Sequence, residues 1–133
     1  MPLLPNAMRK ITTHIIHCSA SAHGDVREIR RWHKARGWAD VGYHFIILSD
    51  GEIEVGRMLN EIGAHCEGHN RESIGTCLIG NTAFTPVQFA TLRRLHNSLC
   101  TMFPGLTAHG HRAFNPHKTC PNFEVHHVLN ERI

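Results

Sequence analysis

The sequence predicts an α/β protein, a single domain with a central mixed β-sheet flanked by helices. Three observations predict it. Short apolar runs at residues 11–17 and 74–79 read as buried strands. His44-Phe-Ile-Ile-Leu48 and Glu52-Ile-Glu-Val55 flank Ser49-Asp50-Gly51, and Asp-Gly between apolar runs is a strong hairpin signal. Two further stretches carry apolar residues at helical spacing. The 133 residues suit one domain, and no repeat, linker or low-complexity block divides them. Residues 1–10 are expected to be a flexible N-terminal tail and residues 11–133 the folded domain.

The elements follow in chain order. Ile11-Thr-Thr-His-Ile-Ile16 runs into His17 as the first strand. A helix is expected over Val26–Arg36. Asp25 stands at its N-cap with Glu28 three residues on, Ile29 and Trp32 share a face, and Gly37 ends it. The hairpin comes next, then the strand at 74–79. Thr85-Pro86-Val87-Gln88 is a helix start, with Thr as N-cap, Pro at the first helical position and Gln at the third. Phe89, Leu92, Leu95, Leu99, Met102 and Phe103 repeat at helical spacing until Pro104-Gly105 stops the helix. A short strand around Thr107-Ala108-His109 leads His111 into a loop, and Glu124–Ile133 reads as a final helix.

Composition excludes several classes of function. Net charge is +3, from 14 basic and 11 acidic residues, with no Lys/Arg stripe, so nucleic-acid binding is not expected. No apolar run approaches the ~20 residues that span a bilayer, so membrane insertion is not expected. The start lacks the pattern of a signal peptide, because its apolar part is short, broken by proline and followed by the basic pair Arg9-Lys10. The expectation is a monomer made in the cytoplasm. The five cysteines are odd in number and irregularly spaced, which argues against a disulfide framework. Cys77 and Cys100 read as small buried hydrophobes.

The informative segment is His111-Arg112 through Pro116-His117-Lys118-Thr119-Cys120-Pro121. It sets a His and a Cys nine residues apart, with a Lys two residues before the Cys. His17 closes the first strand. Two imidazoles and a thiolate form a three-ligand set for zinc, and three protein ligands leave the fourth tetrahedral position for water, as a catalytic site requires. Strand alternation turns His17 away from Cys18, and Tyr43 away from His44. Thirteen histidines are too many for each to have a role in a site. His14, His33, His96, His126 and His127 are read as structural or surface residues, and His44 as core.

The combined motifs are specific. Ile16-His17-Cys18-Ser19-Ala20, Val26-Arg-Glu-Ile-Arg30, Trp32-His-Lys34, Gly37-Trp38 and Asp40-Val-Gly-Tyr-His-Phe-Ile-Ile47 are followed by Asp50-Gly51, Gly56-Arg57, Gly63-Ala-His65, Gly68, Asn70 and Ser73-Ile-Gly75. Lys118-Thr-Cys-Pro121 completes the set. With these the chain resembles the zinc-dependent N-acetylmuramoyl-L-alanine amidases, the type-2 family that includes phage lysis amidases and peptidoglycan recognition proteins. The matching text runs from about residue 11 to 123.

The resemblance implies an amidase domain with its zinc site at the sheet edge in a surface groove. It makes His17, His111 and Cys120 the zinc ligands, Tyr43 and Lys118 the catalytic helpers, and His65 and Asn70 residues of the substrate groove. His109 also precedes the Cys, but Gly110-His111-Arg112 matches the family's ligand motif. The implied reaction is hydrolysis of the amide between muramic acid and L-alanine in peptidoglycan, with bacteriolytic action on the cell wall after release. Lys118 would add positive charge at the developing oxyanion, and Tyr43 would hydrogen-bond the reacting oxygen and relay a proton. Three features depart from the pattern: the loop between Asn81 and Thr85 is shorter than usual for the phage branch, and two single residues differ. His117 reads as an insertion before Lys118, and Cys77 stands where some relatives carry a carboxylate base.

Other readings predict different things. A non-catalytic peptidoglycan recognition module typically lacks the metal-binding cysteine, which this chain has. A structural zinc protein would recruit a fourth ligand such as His109 or His117. On a further regulatory protein partner the residues are silent.

Overall fold

The computed structural model describes residues 8–37 and 41–130. Residues 1–7 of the expected N-terminal tail, the motif residues Trp38 and Asp40, and the last three residues of the expected final helix lie outside the described residues. Five strands form one sheet in the order β3-β2-β4-β1-β5. They are β1 (Thr13–Cys18), β2 (Phe45–Ile47), β3 (Ile53–Val55), β4 (Ser73–Leu78) and β5 (Thr107–Gly110). β1 lies parallel to β4 and β5, β4 lies parallel to β2, and β2 and β3 make the antiparallel hairpin. The predicted mixed sheet is therefore present. The hairpin turns at Gly51, whose φ of 88° is left-handed and suits glycine.

Three helices flank the sheet: α1 (Val26–Ala35), α2 (Pro86–Met102) and α3 (Val125–Asn130). Both predicted caps form. The Asp25 carboxylate accepts from the Glu28 amide at 2.9 Å. Thr85 and Gln88 make a reciprocal capping box with Pro86 at the helix start. Each cap satisfies amides that have no partner inside the helix. Gln88 does a second job. Buried in the first turn of α2, it donates to the carbonyls of Ile47 (3.3 Å) and Ile79 (2.8 Å), tying the helix to the ends of two strands.

Alternation along the strands sorts the core into two faces. On one, Ile16, Ile47, Leu78 and Leu92 pack with Val125 and Val128, so α2 and α3 cover it. On the other, Ile46 and Cys77 pack with Ile29 of α1, and Trp32 and Tyr43 lie against them. The expected stripe on α2 is buried at Leu92 and Leu99, while Met102 is 56% exposed. Its place at the last residue of the helix, roughly 80° round from Leu92, carries it off the packed face.

Buried histidines are built into this core. His14 is fully buried under α2, 2.7 Å from Thr76 Oγ1 through Nε2 and 3.0 Å from His96 Nδ1 through its own Nδ1. His44 accepts from the Gly75 amide at Nδ1 (3.1 Å), and His33 accepts from the Gly42 amide at Nδ1 (2.9 Å). Burial holds His14 well below 6.5 and brings His33 and His44 each down to about 4.

These shifts give a sign for stability against pH. An unfolded chain takes up protons near pH 6.5, whereas the folded chain resists them until about pH 4. Folding is therefore unpenalised above pH 6.5, and stability is lost as pH falls through that window. Each histidine contributes a slope of up to about 1.4 kcal/mol per pH unit. Denaturant midpoints measured across the window should fall steeply, and a flat profile would show that these rings are charged in the folded chain.

Candidate functional site

The parallel strands deliver their carboxyl ends to one side of the sheet, where α/β proteins commonly bind ligands. His17 is the penultimate residue of β1. His111 opens a single 3-10 turn (His111–Ala113) directly after β5. β1 and β5 are hydrogen-bonded neighbours, so the two rings meet with centroids 4.5 Å apart. Cys120 arrives from the loop that follows. Its carbonyl accepts from the Arg112 amide at 2.9 Å, closing that loop back onto the turn that carries His111. Ligand atoms of His17, His111 and Cys120 all lie within 4.8 Å of one another, and no fourth His, Cys, Asp or Glu joins the group among the described residues. His109, the alternative to His111, points elsewhere. Its Nε2 is 3.2 Å from Thr107 Oγ1 and its ring packs on Phe114 and His126.

The donor set suits a zinc ion. Burial, then the neighbouring His65 and His111 rings, hold His17 well below its ordinary pKa. Burial and the Lys118 ammonium lower His111. Both imidazoles are thus neutral, as metal ligands must be. The hydrogen bond to the Cys18 thiol, then burial, push the Cys120 thiol up, while the Cys18 amide, donating to its sulfur at 2.9 Å, opposes this. The same thiol pair brings Cys18 down to about 7. A dication held by His17, His111 and Cys120 would reverse this, because a coordinating thiol is deprotonated outright.

The three residues sit in a groove of about 740 Å³ whose lining also includes Tyr43, His65, Asn70 and Lys118. The seven residues that the resemblance assigns to the site therefore border one cavity. Tyr43 packs its ring 5.1 Å from that of His17. Burial, with the Cys77 and Cys120 thiols adding to it, raises its phenol well above 10, so the hydroxyl stays protonated and is a donor. Cys77 is fully buried in β4. The predicted insertion at His117 is absorbed by tight turns: Asn115 accepts from the His117 amide at Oδ1 and from the Lys118 amide at its carbonyl, both at 3.0 Å. Those turns leave the Lys118 side chain exposed on the groove wall, beside His111.

His65 and Asn70 border the groove, but both His65 ring nitrogens and the Asn70 Oδ1 are engaged within the protein. Asn70 Oδ1 accepts from the His65 and Cys66 amides at 3.0 and 2.9 Å. His65 is 8% exposed, and its two ring nitrogens lie 2.8 Å from His17 Nε2 and 3.1 Å from Ser73 Oγ. Sequence reasoning did not find Ser73 or His33 at this site. A signal was present in Gly75, since glycine inside a strand often marks a close approach by another group, here the His65 ring.

Comparison with known proteins identifies the family and the fold. The family described as N-acetylmuramoyl-L-alanine amidase matches residues 7–123. The endolysin of Escherichia phage T7 is 44% identical over 121 residues, covering 83% of this chain and 80% of that protein. The endolysin of Klebsiella phage KP32 is 43% identical over 129 residues, covering 88% and 85%. Among solved structures, the N-acetylmuramoyl-L-alanine amidase LysC of Clostridium intestinale superposes with a TM-score of 0.82 at 29% identity, over 96% of this chain and 87% of that one. The peptidoglycan recognition protein PGRP-SA of Apis mellifera gives 0.81 at 26% identity, over 90% and 82%.

Proposed function

The chain belongs to the N-acetylmuramoyl-L-alanine amidase family, and from that premise we propose that it acts as an endolysin-type zinc hydrolase with ligands His17, His111 and Cys120. It is an enzyme that cuts the amide between N-acetylmuramic acid and L-alanine in peptidoglycan, and so degrades cell wall. No helix among the described residues is long and apolar enough to cross a membrane. The observation that carries the zinc reading is the convergence of two neutral imidazoles and one thiol within 4.8 Å at the groove.

Bound there, zinc supplies Lewis acidity toward the amide carbonyl and lowers the pKa of a bound water to about 7. The chain's own groups do the rest. Lys118 holds an ammonium on the groove wall and stabilises the negative charge that develops on the carbonyl oxygen. Tyr43 donates its hydroxyl hydrogen bond to the reacting oxygen and, as it passes a proton toward the leaving amine, takes one up from the attacking water. The groove walls hold the muramyl peptide so that its scissile amide faces Lys118, with Asn70 at the rim as a substrate contact.

The test is metal removal. Chelation is expected to abolish release of free amino termini from purified peptidoglycan, and stoichiometric zinc to restore it. Mass spectrometry of the products should show cleavage at the lactyl–alanine amide. Activity indifferent to chelation would sink the zinc assignment. Binding of peptidoglycan without any cleavage would favour a recognition module instead.

A further inference from the structure

Behind the three candidate ligands lies a second group of buried polar side chains. The register pairs His17 with Cys77, so alternation puts Ser73, Gly75 and Cys77 of β4 on the same sheet face as His17. Gly75 has no side chain, and the His65 ring occupies the space above it. A Cβ at Gly75 would stand 2.5 Å from His65 Cγ, so the ring fits only over a glycine. There it bridges the two strands, edge-on to His17 at 4.9 Å and 86°, with Nδ1 2.8 Å from His17 Nε2 and Nε2 3.1 Å from Ser73 Oγ. Asn70 fixes where this stretch of chain enters, by accepting the His65 and Cys66 amides. His17 is 1% exposed and Ser73 1%, so water does not compete for these contacts.

We infer that His65 and Ser73 are positioning residues of the metal centre, fixing His17 in the tautomer that turns a bare Nδ1 toward His111 and Cys120. The inference rests on the zinc reading above and extends it to groups that touch neither metal nor substrate. The proton positions follow from counting. Nε2 of His17 is committed to His65, so Nδ1 is the nitrogen left for a metal. A ligating Nδ1 carries no proton, so Nε2 carries it and donates to His65 Nδ1. His65 then bears its own proton on Nε2 and donates to Ser73 Oγ. Reversing the chain would put a proton on His17 Nδ1 and block coordination. His65 thus acts through His17, and not as a primary substrate contact. Partners of this kind orient a ligating histidine and raise its basicity.

The test uses the full chain loaded with zinc. Nitrogen-15 shifts and long-range couplings of the imidazoles should show His17 protonated at Nε2 and ligated at Nδ1, with His65 protonated at Nε2. Chelator competition should give a zinc affinity about 10- to 100-fold weaker for His65→Ala, and a smaller loss for Ser73→Ala. His65→Gln offers a carbonyl acceptor to His17 Nε2–H and should recover most of the affinity, which a purely space-filling role would not predict. Three results would overturn the relay and leave the zinc site standing: a proton on His17 Nδ1 in the loaded chain, unchanged affinity in a folded His65→Ala chain, or no recovery by glutamine. Should His65→Ala fail to fold, the wild-type spectrum and Ser73→Ala decide the matter. A wild-type chain that takes up no zinc would overturn the metal assignment and the relay together.

Discussion

Replacing Cys120 by serine is expected to remove both zinc and activity while leaving the fold in place. Cys120 is the one anionic ligand of the proposed three, and it is held on a loop rather than in the core. A serine hydroxyl keeps the shape but does not ionise near neutral pH, so the charge that holds the dication is lost. Zinc supplies several kcal/mol of charge stabilisation to the cleavage, and each 1.36 kcal/mol is tenfold in rate. The expected fall is therefore on the order of 10³-fold or more. Metal content of the purified variant and release of amino termini from peptidoglycan measure the two losses separately. Unfolding should change little, because the sulfur's protein partners all belong to Cys18, its amide, carbonyl and thiol. A Cys120→Ser chain that kept stoichiometric zinc and the wild-type rate would refute the ligand assignment.

Lys118→Ala is expected to lower kcat by roughly 10²–10³-fold with zinc content and fold unchanged, the usual cost of one lost oxyanion donor. Lys118 is exposed on a turn-rich loop, so its removal leaves no cavity. Its charge also disfavours protonation of His111, and removing it lets that ring's pKa move back up. Tyr43→Phe is expected to cost about 10²-fold, toward the lower end for a positioned proton donor, since the ring still packs beside His17. The two losses should fall on kcat more than on KM, because both groups act on charge that appears only in the transition state. A rate unchanged in either variant with zinc bound would show that residue to be part of the wall and not of the chemistry.

Much of this was legible along the chain. Asp25, Thr85, Pro86 and Gln88 announce helix starts by chemistry that operates within one turn, and both caps form as read. Asp50-Gly51 announces the hairpin for the same reason. The apolar runs of β1 and β4 fix the strands, although their ends shift by a residue or two. Met102 belongs to the helix as its spacing predicts but lies off the packed face, because spacing alone does not say where that face stops. The ligand trio was legible only as a pattern. His17 and Cys120 are 103 positions apart, and only adjacency of β1 and β5 brings His17 to His111.

The sequence by itself determined which residue types were available, two imidazoles, a thiol, a phenol and an ammonium, and which local elements would carry them. Those are matters of bonding within a few residues. The tertiary structure alone decided three other things. It chose His111 over His109, by ending β5 so that one ring meets His17 and the other packs on Phe114. It seated His65 over the bare backbone of Gly75, between His17 and Ser73. It also turned Asn70's carbonyl onto its own loop. Each depends on strand register and on which face a side chain takes, and pairing between segments tens of residues apart sets both.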